Sequence, residues 1–428
     1  MFIISLISWF AYTSVLVVLF MRSFKSAKYG SFFLYFFSLY YLSIRPVFIF
    51  LGLDVPIPFY EFQYDFYGDI ARANLIVMLW VGVLFLTQSY FEKIFLSKVE
   101  RKPYNVNFVN LNYLFFLTAF MTLLGVMVTS FFILKFGSLS EFLYQVKIEK
   151  SMKGLYVFRE FSAWALILTG YLFLNSKLIG AKYYVVISVM LISVNGLFIF
   201  FWGNRTTIGF FIFMLGVLYF SRFQRINIKT LFLSTVLLFV IANGLRLARE
   251  DLHSEAIGHE VNSLEAMGPI TALSLSMHLS EYDGLVLASR DVGKRFAFRD
   301  GEDFYNGLLA WVPRFLWKDK PLTHNVGLWF RQVYERDKNN GWPITAVGDW
   351  FVNGSWLYVF FGAALTGIIA AFLDSYCNKS LFVDYTIVIF SVFALGQGID
   401  PGFIQTIFLK YIPVFILLYF AKSKIRFS

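Results

Sequence analysis

Long apolar runs that do not alternate, separated by short polar loops, set the pattern of this chain. Runs at residues 75–91 and 183–201 are long enough to cross a hydrocarbon core about 30 Å thick as helices. Eleven such runs read as spans: 2–21, 30–51, 71–91, 111–134, 161–175, 183–201, 206–221, 230–245, 346–373, 384–399 and 403–420. One polar segment, residues 246–345, breaks the series and holds all four histidines, His253, His259, His278 and His324. The chain therefore divides into residues 1–245 with eight spans, a large loop region 246–345, and residues 346–428 with three spans. The expected fold is all-α, a polytopic transmembrane helical bundle. A transmembrane β-barrel would need repeated alternating segments of about ten residues, which are absent.

Composition agrees with this reading. The 428 residues are 58% hydrophobic and 15% charged, with mean hydropathy +0.65, whereas a soluble domain carries about 25% charged residues. The 54 phenylalanines and 25 tyrosines suit lipid-facing and interfacial positions. The net charge of +10 does not indicate nucleic acid, because the positive residues sit in short loops between spans. Cys377 is the single cysteine and cannot form an internal disulfide.

Loop charges give an orientation. One side carries Arg22, Lys25, Lys28, Lys93, Lys98, Arg101, Lys102, Lys177, Lys182, Arg222, Arg225, Lys229, Lys379, Lys422, Lys424 and Arg426. The opposite short loops carry Lys135, Lys147, Lys150, Lys153, Arg159 and Arg205. The richer side is expected to be cytoplasmic, with the N-terminus out, the C-terminus in, and the first span an uncleaved anchor. The large loop then falls on the outer face. The outer loop at 136–160 opens with Ser138 and Glu141, a capping-box pattern that starts an amphipathic helix lying in the interface.

Four cations fall at membrane depth or at its edge: Arg45, Arg72, Arg205 and Lys410. A cation at the centre of a span costs roughly 2.5–3.5 kcal/mol, so such residues face a wet cavity or an anionic partner unless they snorkel. Together they suggest a cationic cavity open outward. A lipid-linked diphosphate, anionic at the head and apolar in the tail, suits that cavity, and Arg can bind two phosphate oxygens at once.

The large loop holds twelve Lys/Arg and fourteen Asp/Glu, so it is no basic patch. Arg246 and Arg249 leave the preceding span three residues apart on one helix face, followed by Glu250. Residues 252–300 show little pattern. Residues 311–321 alternate bulky aromatics with Arg314, Lys318 and Lys320. Gly348-Asp349-Trp350-Phe351 leads into a Gly-rich span, with Asp349 at the outer surface. The histidines lack zinc-site spacing, no Gly-x-Ser-x-Gly elbow occurs, and Asp300-Gly-Glu302-Asp303 lacks EF-hand length.

Three segments resemble the O-antigen and capsular polysaccharide polymerases of the Wzy type, the oligosaccharide repeat-unit polymerases. Gly203-Asn204-Arg205-Thr206-Thr207 opens a short span as that family's small-residue–Arg motif does. Val312-Pro313-Arg314-Phe315-Leu316-Trp317-Lys318-Asp319-Lys320-Pro321 is similar to its Pro-Arg-x-x-Trp-x-x-Lys-Pro segment. Gly348-Asp349-Trp350-Phe351 is similar to its Gly-Glu-x-Tyr pattern, with Asp for Glu and Phe for Tyr. The family's Arg, ten residues, Gly spacing is matched by Arg205 to Gly216, Arg290 to Gly301 and Arg159 to Gly170. That match carries little weight, because so short a spacing recurs by chance.

The resemblance implies a GT-C-like membrane glycosyltransferase in a bacterial inner membrane, with its active site facing the periplasm. It would transfer a growing glycan from polyprenyl diphosphate to the acceptor hydroxyl of the next lipid-linked repeat unit, inverting the anomeric centre. Arg205, Arg246 and Arg314 are the candidates for the donor diphosphate. Arg45, Arg249, Lys318, Lys320 and Arg290 are those for further substrate binding. Asp349, Glu250 and His324 remain alternatives for the base. No metal or nucleotide cofactor is implied; the partners are lipid-linked oligosaccharides, the bilayer and a chain-length regulator. An O-antigen ligase, with lipid A core as acceptor, and a lipid-linked oligosaccharide transporter are the rival readings. Against the transporter stand the absence of an internal repeat and the single long outer loop.

Overall fold

The computed structural model describes residues 1–52, 66–98, 110–146, 156–203, 205–223, 279–309, 312, 316–317, 326–334 and 341–423. Among these residues the chain is helical, and the only β pairing is an isolated bridge between Val292 and Phe296. Eight helices are long and apolar enough to cross a membrane. They are α1 (Phe2–Lys25), α2 (Tyr29–Phe50), α3 (Phe66–Lys98), α4 (Leu111–Phe136), α6 (Glu160–Ile179), α7 (Lys182–Phe201), α12 (Thr345–Tyr376) and α14 (Phe403–Ala421). Shorter apolar stretches lie in α8 (Arg205–Phe223) and α13 (Leu381–Leu395). Between them run the polar helices α5 (Leu139–Tyr144), α9 (Glu281–Asp291), α10 (Glu302–Leu309) and α11 (Val326–Tyr334). The apolar helices occupy the predicted runs; the run at 230–245 lies outside the described residues.

Local chemistry sets several helix ends. Asn110 and Ser138 accept the backbone N–H groups of Tyr113 and Glu141, each at 3.1 Å, and so cap α4 and α5. The predicted helix start at Ser138 is thus present. Gly137 and Gly180 close α4 and α6 at φ 87° and 78°, a left-handed conformation that glycine adopts at little cost.

The chain forms two compact units. One holds residues 106–266 and 409–428. Its described part packs α4 against α6 and α7, with α8 beside α6 and α7. Asn195 on α7 donates to Thr122 on α4 at 2.9 Å, and Trp202 donates to Thr129 at 2.9 Å. Trp202 also sits in an aromatic cluster with Phe132 and Phe142. This cluster supports the tight turn at Gly203, φ 72°, that leads into α8.

The other unit holds residues 1–105 and 267–408, and its core is α3 packed along α12, with α1 and α2 beside them. Gly367 permits the close approach of α12 to α3. A Cβ there would stand 2.8 Å from the carbonyl oxygen of Leu84. Contacts at the two ends fix the helix directions. The start of α1, the end of α2 and the starts of α3 and α12 share one end with the polar helices α9 to α11. The end of α1, the start of α2 and the ends of α3 and α12 share the other.

Helix α9 is enclosed by α2, α3 and α12. Arg45 of α2 donates from Nε to Asp283 Oδ2 on α9 at 2.8 Å, and both side chains are 0% exposed. Tyr282 donates to Asn74 Oδ1 at 2.6 Å, and Asn74 donates to the Ser5 carbonyl at 2.9 Å, joining α9, α3 and α1. Removing one partner of a buried ion pair strands the other charge, at a cost of about 3–5 kcal/mol, whereas an apolar replacement of both is often near neutral. Arg45→Ala is therefore expected to lower the thermal unfolding midpoint of the detergent-purified protein sharply. The double change Arg45→Met with Asp283→Leu should recover most of the loss. Equal stability of Arg45→Ala and the parent protein would refute the assignment.

Candidate functional site

The polar end of the unit that holds residues 1–105 and 267–408, hereafter the first unit, is organised around α9 and the break in α12. Gly354 and Ser355 leave helical geometry, Ser355 with φ 62°, and interrupt the hydrogen-bond ladder of α12. The carbonyls this frees do not stay empty. Arg299 N–H donates to the Val352 oxygen at 3.0 Å and Gly301 N–H to the Asn353 oxygen at 3.1 Å. The segment that carries Arg299 and Asp303 is thereby fastened to the span that carries Asp349.

Charges at this end are mostly held in pairs. Arg290 binds Asp291 through Nε at 2.8 Å and a terminal nitrogen at 2.7 Å. Tyr334 of α11 donates to Asp291 Oδ2, the oxygen that also takes the terminal nitrogen of Arg290, at 2.8 Å. Burial opposes ionisation of Asp291, but the hydrogen bonds from Arg290 and Tyr334 outweigh it and hold the carboxyl below its ordinary range. Arg299 binds Asp303 at 2.6 Å and Glu302 at 3.2 Å, and its guanidinium lies 5.8 Å from the Trp329 ring centre. Arg331 lies 5.5 Å from the Trp342 ring centre.

Carboxylates gather at the start of α12. Asp349 interacts electrostatically with Asp400, Asp303 and Glu281. Glu281 accepts from Gln397 at 3.0 Å. Trp350, next to Asp349, donates to the Ile399 carbonyl at 2.6 Å and stacks on Phe304 with ring centres 4.1 Å apart. Gly307 lets α10 reach the loop before α14, because a Cβ there would collide with the Pro401 carbonyl. Among the described residues no three His, Cys, Asp or Glu side chains converge to hold a metal ion. The arrangement offers a partly exposed carboxylate, Asp349, among further carboxylates, one of which, Asp303, is held by Arg299.

The sequence candidates fall unevenly. Asp349 lies in the second turn of α12, partly exposed. Arg290 ends α9, half-buried and bound to Asp291. Arg45 lies in no open cavity: α9 fills that space and Asp283 supplies its anion. Arg205 begins α8 in the other unit, and its side chain lies outside the described residues. Arg246, Arg249, Glu250, Arg314, Lys318, Lys320 and His324 all lie outside the described residues. Lys410, also in the second unit, has its expected anionic partner in the buried Glu160, which Arg159 binds at 2.9 Å. Asp283, Glu281, Tyr334 and Asp400 were not anticipated. The one available signal was Arg45 itself, since a cation at that depth requires a carboxylate somewhere in the chain.

No protein-family model, curated protein or solved structure matches this chain.

Asp400 gives a pH signature for this end. It lies in the connection before α14. Burial raises its pKa from 3.8 to about 6, the N–H groups of Gly402 and Phe403 oppose the rise, and the charge of Glu281 adds to it. A carboxyl whose folded pKa lies above its unfolded value contributes stability when protonated and loses it as pH rises through the window between the two. Asp400→Asn keeps an acceptor for the two N–H groups without a charge. Its unfolding midpoint relative to the parent is expected to climb between about pH 4 and pH 6. A difference that stays flat with pH would contradict the placement.

Proposed function

We propose that this membrane protein is a glycosyltransferase acting at the outer face, an oligosaccharide repeat-unit polymerase that elongates a glycan held on polyprenyl diphosphate. The observation that carries the reading is the placement of Asp349 among further carboxylates, in the turn before the break in α12 whose carbonyls take the N–H groups of Arg299 and Gly301. The motif resemblance at Arg205, Arg314 and Asp349 supports it. So does the helix arrangement, which puts this end of the first unit opposite Arg22, Lys25, Lys28 and Lys93. A cytoplasmic location for those cations would put Asp349 on the periplasmic side of an inner membrane.

In the proposed step an acceptor hydroxyl oxygen attacks the anomeric carbon of the donor glycan. The bond from that carbon to the diphosphate oxygen breaks, and the electron pair leaves with the lipid diphosphate. The hydroxyl proton passes to Asp349. Charge growing on the diphosphate needs cations, and the motif resemblance implies Arg205, Arg246 and Arg314 for that role. Direct displacement inverts the anomeric centre.

The test is reconstitution of the purified protein with a polyprenyl-diphosphate oligosaccharide, with products separated as a ladder. Asp349→Asn should cut the rate by about 10²–10⁴-fold, the usual contribution of a general base, while leaving the unfolding midpoint near that of the parent. A folded Asp349→Asn protein with full activity would remove Asp349 from the mechanism. Single transfer to added lipid A core without a ladder would replace polymerase by ligase.

A further inference from the structure

Helix α10 lies beside the proposed site and takes no part in the proposed step. Its polar and small side chains turn inward: Asp303, Asn306 and Gly307 are buried. Glu302, Tyr305 and Leu308 recur at every third position on the opposite face, and Tyr305 and Leu308 are 62% and 53% exposed. Two exposed apolar side chains alone say nothing, because soluble surfaces carry many. What decides is where the helix sits.

Helix α10 packs along spanning helices rather than beyond their ends. Phe304 stacks on Trp350. Trp350 precedes the break in α12, yet its ring covers Gly362 after the break, where a Cβ would collide with the indole. At about 1.5 Å per residue, Gly362 lies about 10 Å down the span from Ser355. Trp350 also donates to the Ile399 carbonyl, and the Ile399 N–H donates to Thr366 at 3.2 Å, one turn further along α12. Two residues on, the Pro401 carbonyl meets Gly307, and α10 touches the first turn of α14, Phe403–Thr406. Over this stretch α12 shows an apolar surface, with Trp356, Leu357, Phe360, Phe361 and Leu365 exposed.

The polar groups of α10 suit such surroundings. Its first N–H groups are answered within the protein: Gly301 donates to the Asn353 carbonyl, Glu302 to the Arg299 carbonyl at 2.9 Å, and Asp303 to Asn353 Oδ1 at 3.4 Å. A helix start against lipid requires this, since lipid offers no acceptor. Glu302, the charge on the exposed face, is bound by Arg299 at 3.2 Å.

We propose that α10 is seated in the membrane leaflet on this side, with Leu308 against acyl chains and Tyr305, nearer the break in α12, at the level of the headgroups. Tyrosine suits that level because its ring is apolar and its hydroxyl polar. The surface continues the lipid-facing side of α12. Helix α10 then stands between lipid on one face and the buried Asp303 on the other. The proposal does not depend on glycosyl transfer.

The test places the full chain, carrying Cys377→Ser, in lipid nanodiscs with a bimane fluorophore on Leu308→Cys, Tyr305→Cys, Leu357→Cys or Lys294→Cys. Leu357 is exposed on α12, and Lys294 is exposed in the turn after α9. Acyl-brominated lipid and aqueous iodide serve as quenchers. The Leu308 probe is expected to lose as much intensity to brominated lipid as the Leu357 probe, and several-fold less to iodide than the Lys294 probe. The Tyr305 probe should fall between the two controls, and it decides the matter if Leu308→Cys lowers the unfolding midpoint. Iodide quenching equal to that at Lys294, without lipid quenching, would put this face in water and overturn the proposal. Resistance to both quenchers would mean that protein covers the face, and would overturn it equally.

Discussion

The ion pair between Arg45 and Asp283 governs how this end of the protein is built. Neither charge touches solvent. An isolated ion would cost several kcal/mol to bury, and the arrangement becomes tolerable only when both charges are brought in together. The pair joins residues 238 positions apart in the chain. Its formation draws a helix from the polar segment down among the spans. Once α9 is there, Tyr282 reaches Asn74, and Asp291 at its end meets Tyr334 of α11. Helix α9 is therefore part of the interior of this unit, and the groups it carries are positioned by spanning helices.

The two ends of this unit solve the same electrostatic problem differently. At the end with α9, Arg45, Arg290 and Arg299 are each held by carboxylates, and Asp349 sits among further carboxylates. At the other end the buried Asp374 caps the start of α2, and Lys28 is bound by Glu92. The first arrangement fixes charged side chains through one another; the second fixes a carboxylate through a helix start.

The membrane helices were legible in the sequence because each carries enough apolar residues to stand alone as a signal, whatever it packs against. The start of α5 at Ser138 was legible for a similar reason, since a cap acts within one turn. Helix α9 was not. Its residues 281–291 are mixed in polarity, and protein surrounds it on nearly every side, so no apolar stripe marks it. The sequence left Arg45 facing either an open cavity or an anion and pointed to substrate; the fold gives it Asp283 instead. Nothing local points to Asp283, because the partnership is created by the fold. Asp349 stands out in the sequence only through its motif, while Asp400 and Glu281 join it only in three dimensions.

The break in α12 carries an implication for how the protein is made. A helix interrupted at Gly354 and Ser355 exposes carbonyls that lipid cannot satisfy, and the donors that quiet them belong to Arg299 and Gly301. Those donors leave the ribosome before the helix they complete. The bent shape of α12 therefore depends on a segment that precedes it in the chain, and a span taken without that segment would carry two carbonyls with no donor.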